Sequence, residues 1–373
     1  MTAFAARLFE QPLSRFHAFG FAQAALEPEY ILAVSRDLGL PHTHIFSTQR
    51  AAEGSLIQRS LKILGYPVEH GNSTFHEPFY RLAETLGIRT LLSGFGGDEF
   101  ATTIHGYLVP LALITQHRYK ELYQRLQGDW VERLLRLLRL GLKQIRTKNF
   151  TRPEYNPRFY QAYRQRWEQQ LIRPEWVERF NLKARYLDQA RFDAGYTDLK
   201  KFTLEKRWMP FIPTRMENCT LMAAARKIDY RWPLLDVRLV RLFFSFPAAE
   251  HFYRGMGRYL HRRAIQGVVP DLVTWKRSKD MGAISRSDQG AVEDFTPVAP
   301  EALHPRLIEL LDIERLNRRI AAGSEAGSNN GSQLHFEREQ TLRAVWNLDL
   351  WLKQRFPVDS RDQTKPPGHN LDA

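Results

Sequence analysis

The sequence predicts an α/β protein, a mostly parallel, doubly wound sheet followed by a large helical region, and three observations predict it. Strand and helix signals alternate over roughly the first hundred residues, the pattern of parallel strands joined by crossover helices. Beyond about residue 108 the strand signals fade and helical spacing dominates. Between the two, a buried-strand pattern runs directly into a glycine-rich loop carrying two acids, as expected where a parallel strand ends at a ligand site.

Taken in order, residues 16–21 (FHAFGF) form an aromatic-rich run suited to a buried strand. Pro28 sits well in a first helical turn, Ile31, Val34 and Leu38 form its apolar stripe, and Gly39 is placed to end it. Residues 42–46 read as a second strand. A helix over residues 51–64 stops before Gly65 and Pro67, and another over 78–86 closes at Gly87. Residues 88–92 (IRTLL) are a buried strand. In the helical region, Asp236 is an expected N-cap for a helix through Leu239, Leu242 and Phe243 that ends near Pro247. A further helix spans 258–265 and stops at Gly267 before Pro270. Residues 321–332, rich in Gly, Ser and Asn, and 357–373 read as loop or disorder.

Composition narrows the function. The 373 residues are 43% hydrophobic and 25% charged, a globular balance with enough chain for a substantial core. No apolar run approaches the roughly 18–20 residues of a spanning helix, and residues 1–10 lack the layout of a secretory signal. The chain is therefore expected to be soluble and cytoplasmic. Cys219, the single cysteine, excludes an internal disulfide and a cysteine-rich metal module, and is expected to be buried and structural. The formal charge of +13 raises the question of anionic partners. Much of it lies between Arg118 and Arg173, where Val131, Leu134, Leu135, Leu138, Leu142 and Ile145 recur at helical spacing with Arg133, Arg136, Arg139 and Lys143 between them. The expected arrangement is a helix docked by its apolar stripe with a solvated basic face. A membrane-surface helix or a site for an acidic partner is the alternative. Neither nucleic acid nor membrane is an expected partner.

The sharpest signal is Ser93-Gly94-Phe95-Gly96-Gly97-Asp98-Glu99, directly after the IRTLL strand. Glycines let backbone N–H groups approach an anion without Cβ interference. Two adjacent carboxylates offer oxygens to Mg²⁺, which takes its remaining ligands from water and phosphate. The loop suits a magnesium-bound polyphosphate. The alternative is a tight turn whose acids cap a helix.

SGFGGDE after a buried strand resembles the second conserved motif of the asparagine synthetase synthetase domain, a branch of the PP-loop ATP pyrophosphatase group. Arg231-Trp232-Pro233-Leu234-Leu235-Asp236 is similar to the R-x-P-x-L-D element of that family. Gly255-Met256-Gly257-Arg258, Val269-Pro270-Asp271 and Trp275-Lys276-Arg277-Ser278-Lys279 resemble its later stretch, in the same order. The resemblance covers roughly residues 16–283. It implies an adenine nucleotide alpha hydrolase-like (HUP-type) sheet, with residues 1–120 as the nucleotide-binding α/β portion, 121–356 as the helical portion and 357–373 as a disordered tail. It implies ATP and Mg²⁺, adenylation of a small-molecule or peptide carboxylate, release of pyrophosphate, and amine attack to give an amide. Asp98, and with it Glu99, takes the metal position. Ser93, Gly94, Gly96 and Gly97 line the nucleotide pocket, and Lys279 is the lysine facing the phosphates, the expected catalytic residue. Arg258 could also approach phosphate, or be a solvated arginine at a helix start.

The sequence departs from that pattern twice. Members carry a Ser-Gly-Gly-x-Asp-Ser loop after a strand upstream of the one FHAFGF resembles, and an N-terminal glutaminase domain. Residues 1–15 hold neither, so a truncated sheet is expected, with a separate glutaminase or loop-bearing partner. Phe95 stands where a glutamate or tyrosine linked to proton transfer is usual, and phenylalanine can transfer no proton. Asparagine synthesis, a lasso-peptide-type macrolactam or other peptide-modifying amide synthetase, and a non-catalytic or truncated relative are the readings left open. Glu217 could supply a carboxylate or sit in a helix-surface ion pair.

Overall fold

The computed structural model describes residues 1–22, 27–47, 53–67, 76–102, 106, 108–148, 164, 167–193, 199–204, 212–276, 299–325 and 333–357. Lys279, residues 326–332 and the tail from 358 lie outside the described residues.

After a short helix α1 (Thr2–Arg7), strand β1 (His17–Ala22) pairs in parallel with β2 (His42–Ser47), His17 opposite His42 and Phe21 opposite Phe46. Helix α2 (Glu27–Asp37) makes the crossover, with Pro28 in its first turn and Gly39 at a left-handed φ of 61° just beyond it. Helices α3 (Glu53–Leu64) and α4 (Glu77–Thr85) follow, ended by Gly65 and Gly87, both at positive φ. Strand β3 (Thr90–Leu92) leads to the glycine-rich loop. Next come α5 (Leu108–Thr115), α6 (Tyr119–Arg125) and the long basic helix α7 (Trp130–Lys148).

The expected single sheet is present as separate pairs. Strand β3 pairs in parallel not with β1 or β2 but with β4 (Asp229–Arg231), inside the stretch that reads as helical. Helix α8 (Ile212–Ala224) delivers β4. Among the described residues β1 and β3 each keep one edge that pairs with no strand. Residues 16–19 beside one edge and 90–92 beside the other line a single cleft of about 780 Å³. No described strand bridges that cleft, which is why two pairs stand where one layer was expected.

The two pairs are tied through their helices. Leu91 and Tyr230 pack on Tyr80 and Ala83 of α4 and on Cys219, Met222 and Ala223 of α8, with Phe19 of β1 against the same cluster. Full burial of a side chain such as Met222 contributes about 1.5–3 kcal/mol. The Glu77 carboxylate, 1% exposed in the first turn of α4, receives Arg59 of α3 at 2.5 Å and Arg226 just after α8. Because a lone buried carboxylate is costly, the two guanidiniums fix three helices in one arrangement.

Past β4, the stretch Pro233–Leu235 makes a 3₁₀ turn and Asp236 caps α9 (Val237–Ser245), its Oδ1 accepting from the Arg238 N–H at 2.8 Å. A hairpin of β5 (Phe252–Tyr253) and β6 (Met256–Gly257) turns through Arg254 and Gly255, both at positive φ, and leads into α10 (Tyr259–Ile265). The C-terminal helices α11 (Ile313–Glu325) and α12 (Gln333–Arg355) share a core of Leu303, Leu307, Leu316, Leu342 and Leu352. The Trp351 indole N–H donates to the Gly65 carbonyl at 2.8 Å, which joins that bundle to α3. No helix among the described residues is long and apolar enough to cross a membrane.

Helix α7 corrects one expectation. Its inward contacts come from Leu137 and Leu140, which pack on the cluster of Leu113, Leu122 and Leu126. The stripe expected to dock it, Val131, Leu134, Leu135, Leu138 and Leu142, is exposed. The segment reads as two apolar faces, and spacing alone does not say which of them meets the core.

Candidate functional site

The site is built where β3 ends. The Ser93 N–H donates to the Arg231 carbonyl at 2.8 Å, so the β3–β4 ladder runs one residue past the strand before the chain turns away. The Ser93 hydroxyl accepts from the Phe95 N–H at 3.1 Å and from the Tyr230 hydroxyl at 3.4 Å, which sets the first bend. Gly96 then adopts φ 94°, and Gly97–Ala101 form a single wide helical turn.

The glycines divide by what surrounds them. A Cβ on Gly96 would lie 2.5 Å from Leu235 Cδ2 and 3.1 Å from the Leu234 carbonyl carbon, and one on Gly97 would lie 3.2 Å from Leu234 Cδ1. Gly96 is demanded by its φ and by packing against the 3₁₀ turn of the RWPLLD segment, and Gly97 packs closely on the same turn. Gly94 has nothing within 4 Å of the corresponding position and lines the cleft with Ser93 and Phe95. Of the expected nucleotide-pocket residues, Ser93 and Gly94 face that open space, while Gly96 and Gly97 shape the loop.

The acids divide as well. Glu99 is buried, and its Oε2 accepts from the Gly96 N–H at 3.1 Å, closing the loop on itself. Asp98 is half-exposed and receives the Arg258 guanidinium at 2.7 Å. Arg258 stands at the N-cap of α10 at φ 59°. Asp98 and Arg258, 160 residues apart, are thus brought together. Glu217 is exposed on α8, where its charge adds to burial, the larger cause, in raising the titration of Tyr66, and it does not line the cleft. Lys279 lies outside the described residues.

Glu99→Ala is expected to cost about 1–3 kcal/mol in denaturant titration, because the Gly96 N–H is left unpaired. Glu99→Gln keeps an acceptor and is expected to stay close to the parent.

Sequence reasoning missed the wall of the cleft. His76, Tyr230 and Arg215 line it from α4, β4 and α8. The Tyr230 hydroxyl lies 3.2 Å from His76 Nδ1, and Cys219 Sγ lies 3.9 Å from the same nitrogen. Burial first, and the nearby Arg215 charge second, hold His76 down to about 3, so its ring is neutral. Burial pushes Tyr230 up to about 12 and keeps it a hydroxyl. Cys219 is fully buried, as expected, with its thiol pushed up by burial. The Arg215 guanidinium sits 4.1 Å above the Phe95 ring, and Trp232 meets that ring edge-on at 5.7 Å. Phe95 is therefore a packed platform under a cation. A lone histidine carries no sequence signal, but YRW directly before PLLD places Tyr230 on the strand adjoining the loop and Trp232 at its end, a cue available once β4 is recognised as a strand.

Chemically, the site offers an open glycine backbone at a strand end, one half-exposed carboxylate beside a fixed arginine, and a neutral, hydrogen-bonded wall. The family model for asparagine synthase matches residues 1–353. No curated protein sequence shows significant similarity to the chain.

Proposed function

Because the chain belongs to the asparagine synthase family over residues 1–353, we propose that it forms amide bonds with ATP as co-substrate, adenylating a carboxylate, releasing pyrophosphate and passing the acyl group to an amine. The observation that carries this reading is the position of Ser93 and Gly94 at the carboxyl end of β3, opening on the cleft, with Asp98 held by Arg258 just beyond.

The donor set fits Mg²⁺. No group of three or more His, Cys, Asp or Glu able to hold an ion unaided occurs among the described residues. A single half-exposed carboxylate suits a cation that keeps its water and phosphate ligands. Asp98 would hold it, with Glu99 maintaining the loop that presents Asp98. When bound, Mg²⁺ supplies charge neutralisation on the phosphates. Arg258 and Lys279 would add positive charge where negative charge develops. The neutral His76 and Tyr230 would orient the substrate without taking its protons.

The carboxylate belongs to a small molecule or a peptide. Phe95, closed in by Arg215 and Trp232, offers no proton acceptor, and the cleft carries apolar rings from Phe16, Phe19 and Phe79. Both features favour a peptide-modifying or macrolactam reaction as the second reading, in which the amine comes with the substrate. A phosphate loop and ammonia from glutamine would be contributed by polypeptide outside these residues. The edges of β1 and β3 that pair with no described strand, on either side of the cleft, are suited to receive an extended segment of that kind. Such chemistry belongs in the cytoplasm, where ATP is available.

The test is pyrophosphate release with Mg·ATP. Stimulation by aspartate and ammonia supports asparagine synthesis, stimulation by peptides alone supports the second reading, and release with neither returns the chain to a binding role. Mg·ATP is expected to raise the melting temperature, and Asp98→Asn to abolish that rise. A rise unchanged in Asp98→Asn removes Asp98 from the site. Lys279→Ala is expected to slow release at least tenfold.

A further inference from the structure

Among the described residues, helix α7 leaves an apolar face uncovered. Trp130, Val131, Leu134, Leu135, Leu138 and Leu142 are between 42 and 70% exposed. At 3.6 residues per turn they occupy about 140° of the helix surface over about 18 Å. The adjoining side, through Leu137 and Leu140, is packed on the core. Arg139, exposed, lies along one border of the stripe, next to Leu135 in angle. The whole helix carries six basic residues against one acid, Glu132, which lies 4.0 Å from Arg136.

We propose that α7 lies on anionic lipid membranes, its leucine stripe in the boundary between headgroups and acyl chains. An apolar stripe begun by a tryptophan and edged by an arginine, on a helix with a basic surplus, is the composition of helices that lie in that plane. The arginine stems can run along the apolar layer while their guanidiniums reach lipid phosphates. Charge decides among the occupants. A second copy of the chain would bring a second helix of the same positive charge against the first. A membrane with anionic headgroups supplies the opposite charge to Arg139 and to the basic helix as a whole, and its fluid interior needs no shape match to a convex row of leucines. The surplus of thirteen positive charges acts in the same direction at longer range. The helix would lie on the bilayer and not pass through it.

The test is flotation of the full chain with vesicles of phosphatidylcholine alone, or of phosphatidylcholine and phosphatidylglycerol in equal parts. The chain is expected to float with the anionic vesicles at least tenfold better than with the neutral ones, and to be released as salt is raised. Leu134→Gln with Leu138→Gln is expected to lower partitioning at least tenfold, and Arg139→Gln about fivefold. These side chains are exposed, so melting temperatures should hold. The salt response of the unaltered chain tests the charge component without any substitution. A chain that stays in the aqueous phase with both vesicles overturns the proposal. So does partitioning indifferent to the leucine changes, or retention by an immobilised acidic amphipathic helix in the absence of vesicle binding.

Discussion

Gly96→Ala is expected to destabilise the chain by about 2–5 kcal/mol, read from the midpoint of denaturant unfolding. Two costs add. A left-handed φ of 94° carries a penalty of roughly 1–2 kcal/mol for a residue with a Cβ. The new methyl would also lie 2.5 Å from Leu235 Cδ2, with the Leu234 backbone behind it, and overpacking of that kind costs about 1–3 kcal/mol. The components can be separated. Adding Leu235→Ala removes the side-chain clash and not the backbone strain, so the pair is expected to be less destabilised than the sum of its singles by about 1–2 kcal/mol. Gly94→Ala is the contrast: its added methyl meets nothing, stability should change by less than about 0.5 kcal/mol, and the loss should appear in the response to Mg·ATP. If Gly96→Ala unfolds at the same midpoint as the parent, the packing role assigned to Gly96 is wrong.

Acid is expected to weaken the fold through His76. In the folded chain this ring is held down to about 3 by burial and by Arg215, against an ordinary value near 6.5. The unfolded chain therefore takes up a proton at a pH where the folded chain does not. The stabilising contribution is complete above about pH 6.5 and is lost as pH falls from there toward 3, with an upper bound of roughly 5 kcal/mol. His251 and His261, each lowered to about 4 chiefly by burial, act in the same direction. His76→Phe is expected to be less stable at neutral pH, because Tyr230 loses one of its two hydrogen bonds, yet to show a flatter dependence on pH between 6 and 4. A slope equal to the parent's would mean that His76 does not control acid sensitivity.

The punctuation of the fold was legible in the sequence because each signal has a local cause. Pro28, Gly39, Gly65, Gly87 and Asp236 act within one turn of themselves, and the structure places helix ends at each of them. The loop after β3 was legible for the same reason. What the sequence hid depends on distant partners. Strand β4 is three residues long, and only its pairing with β3 makes it a strand. The outward-facing leucines of α7 have the same spacing as a docked stripe, and only the position of Leu137 and Leu140 against the core distinguishes the two. The roles of Gly96 and Gly97 were hidden because Leu234 and Leu235, which require them, lie far along the chain. Glu99 and Asp98 look equivalent as neighbours, and the backbone turn alone assigns one to the loop and the other to Arg258.

The separation between Ser93 and Tyr230 has a consequence for biosynthesis. These contacting residues are 137 positions apart, and closing a flexible loop of that length costs about 4 kcal/mol of chain entropy before any contact repays it. The loop after β3 leans on β4 and on Leu234 and Leu235, so it cannot take its shape while it is the newest part of a growing chain. It must wait until about residue 235 has left the ribosome. Until then Thr90–Leu92 is an apolar strand without its neighbour. A pause in translation over that interval is expected to lower the soluble yield, whereas the β1–β2 pair, closed by the short crossover through α2, is complete long before.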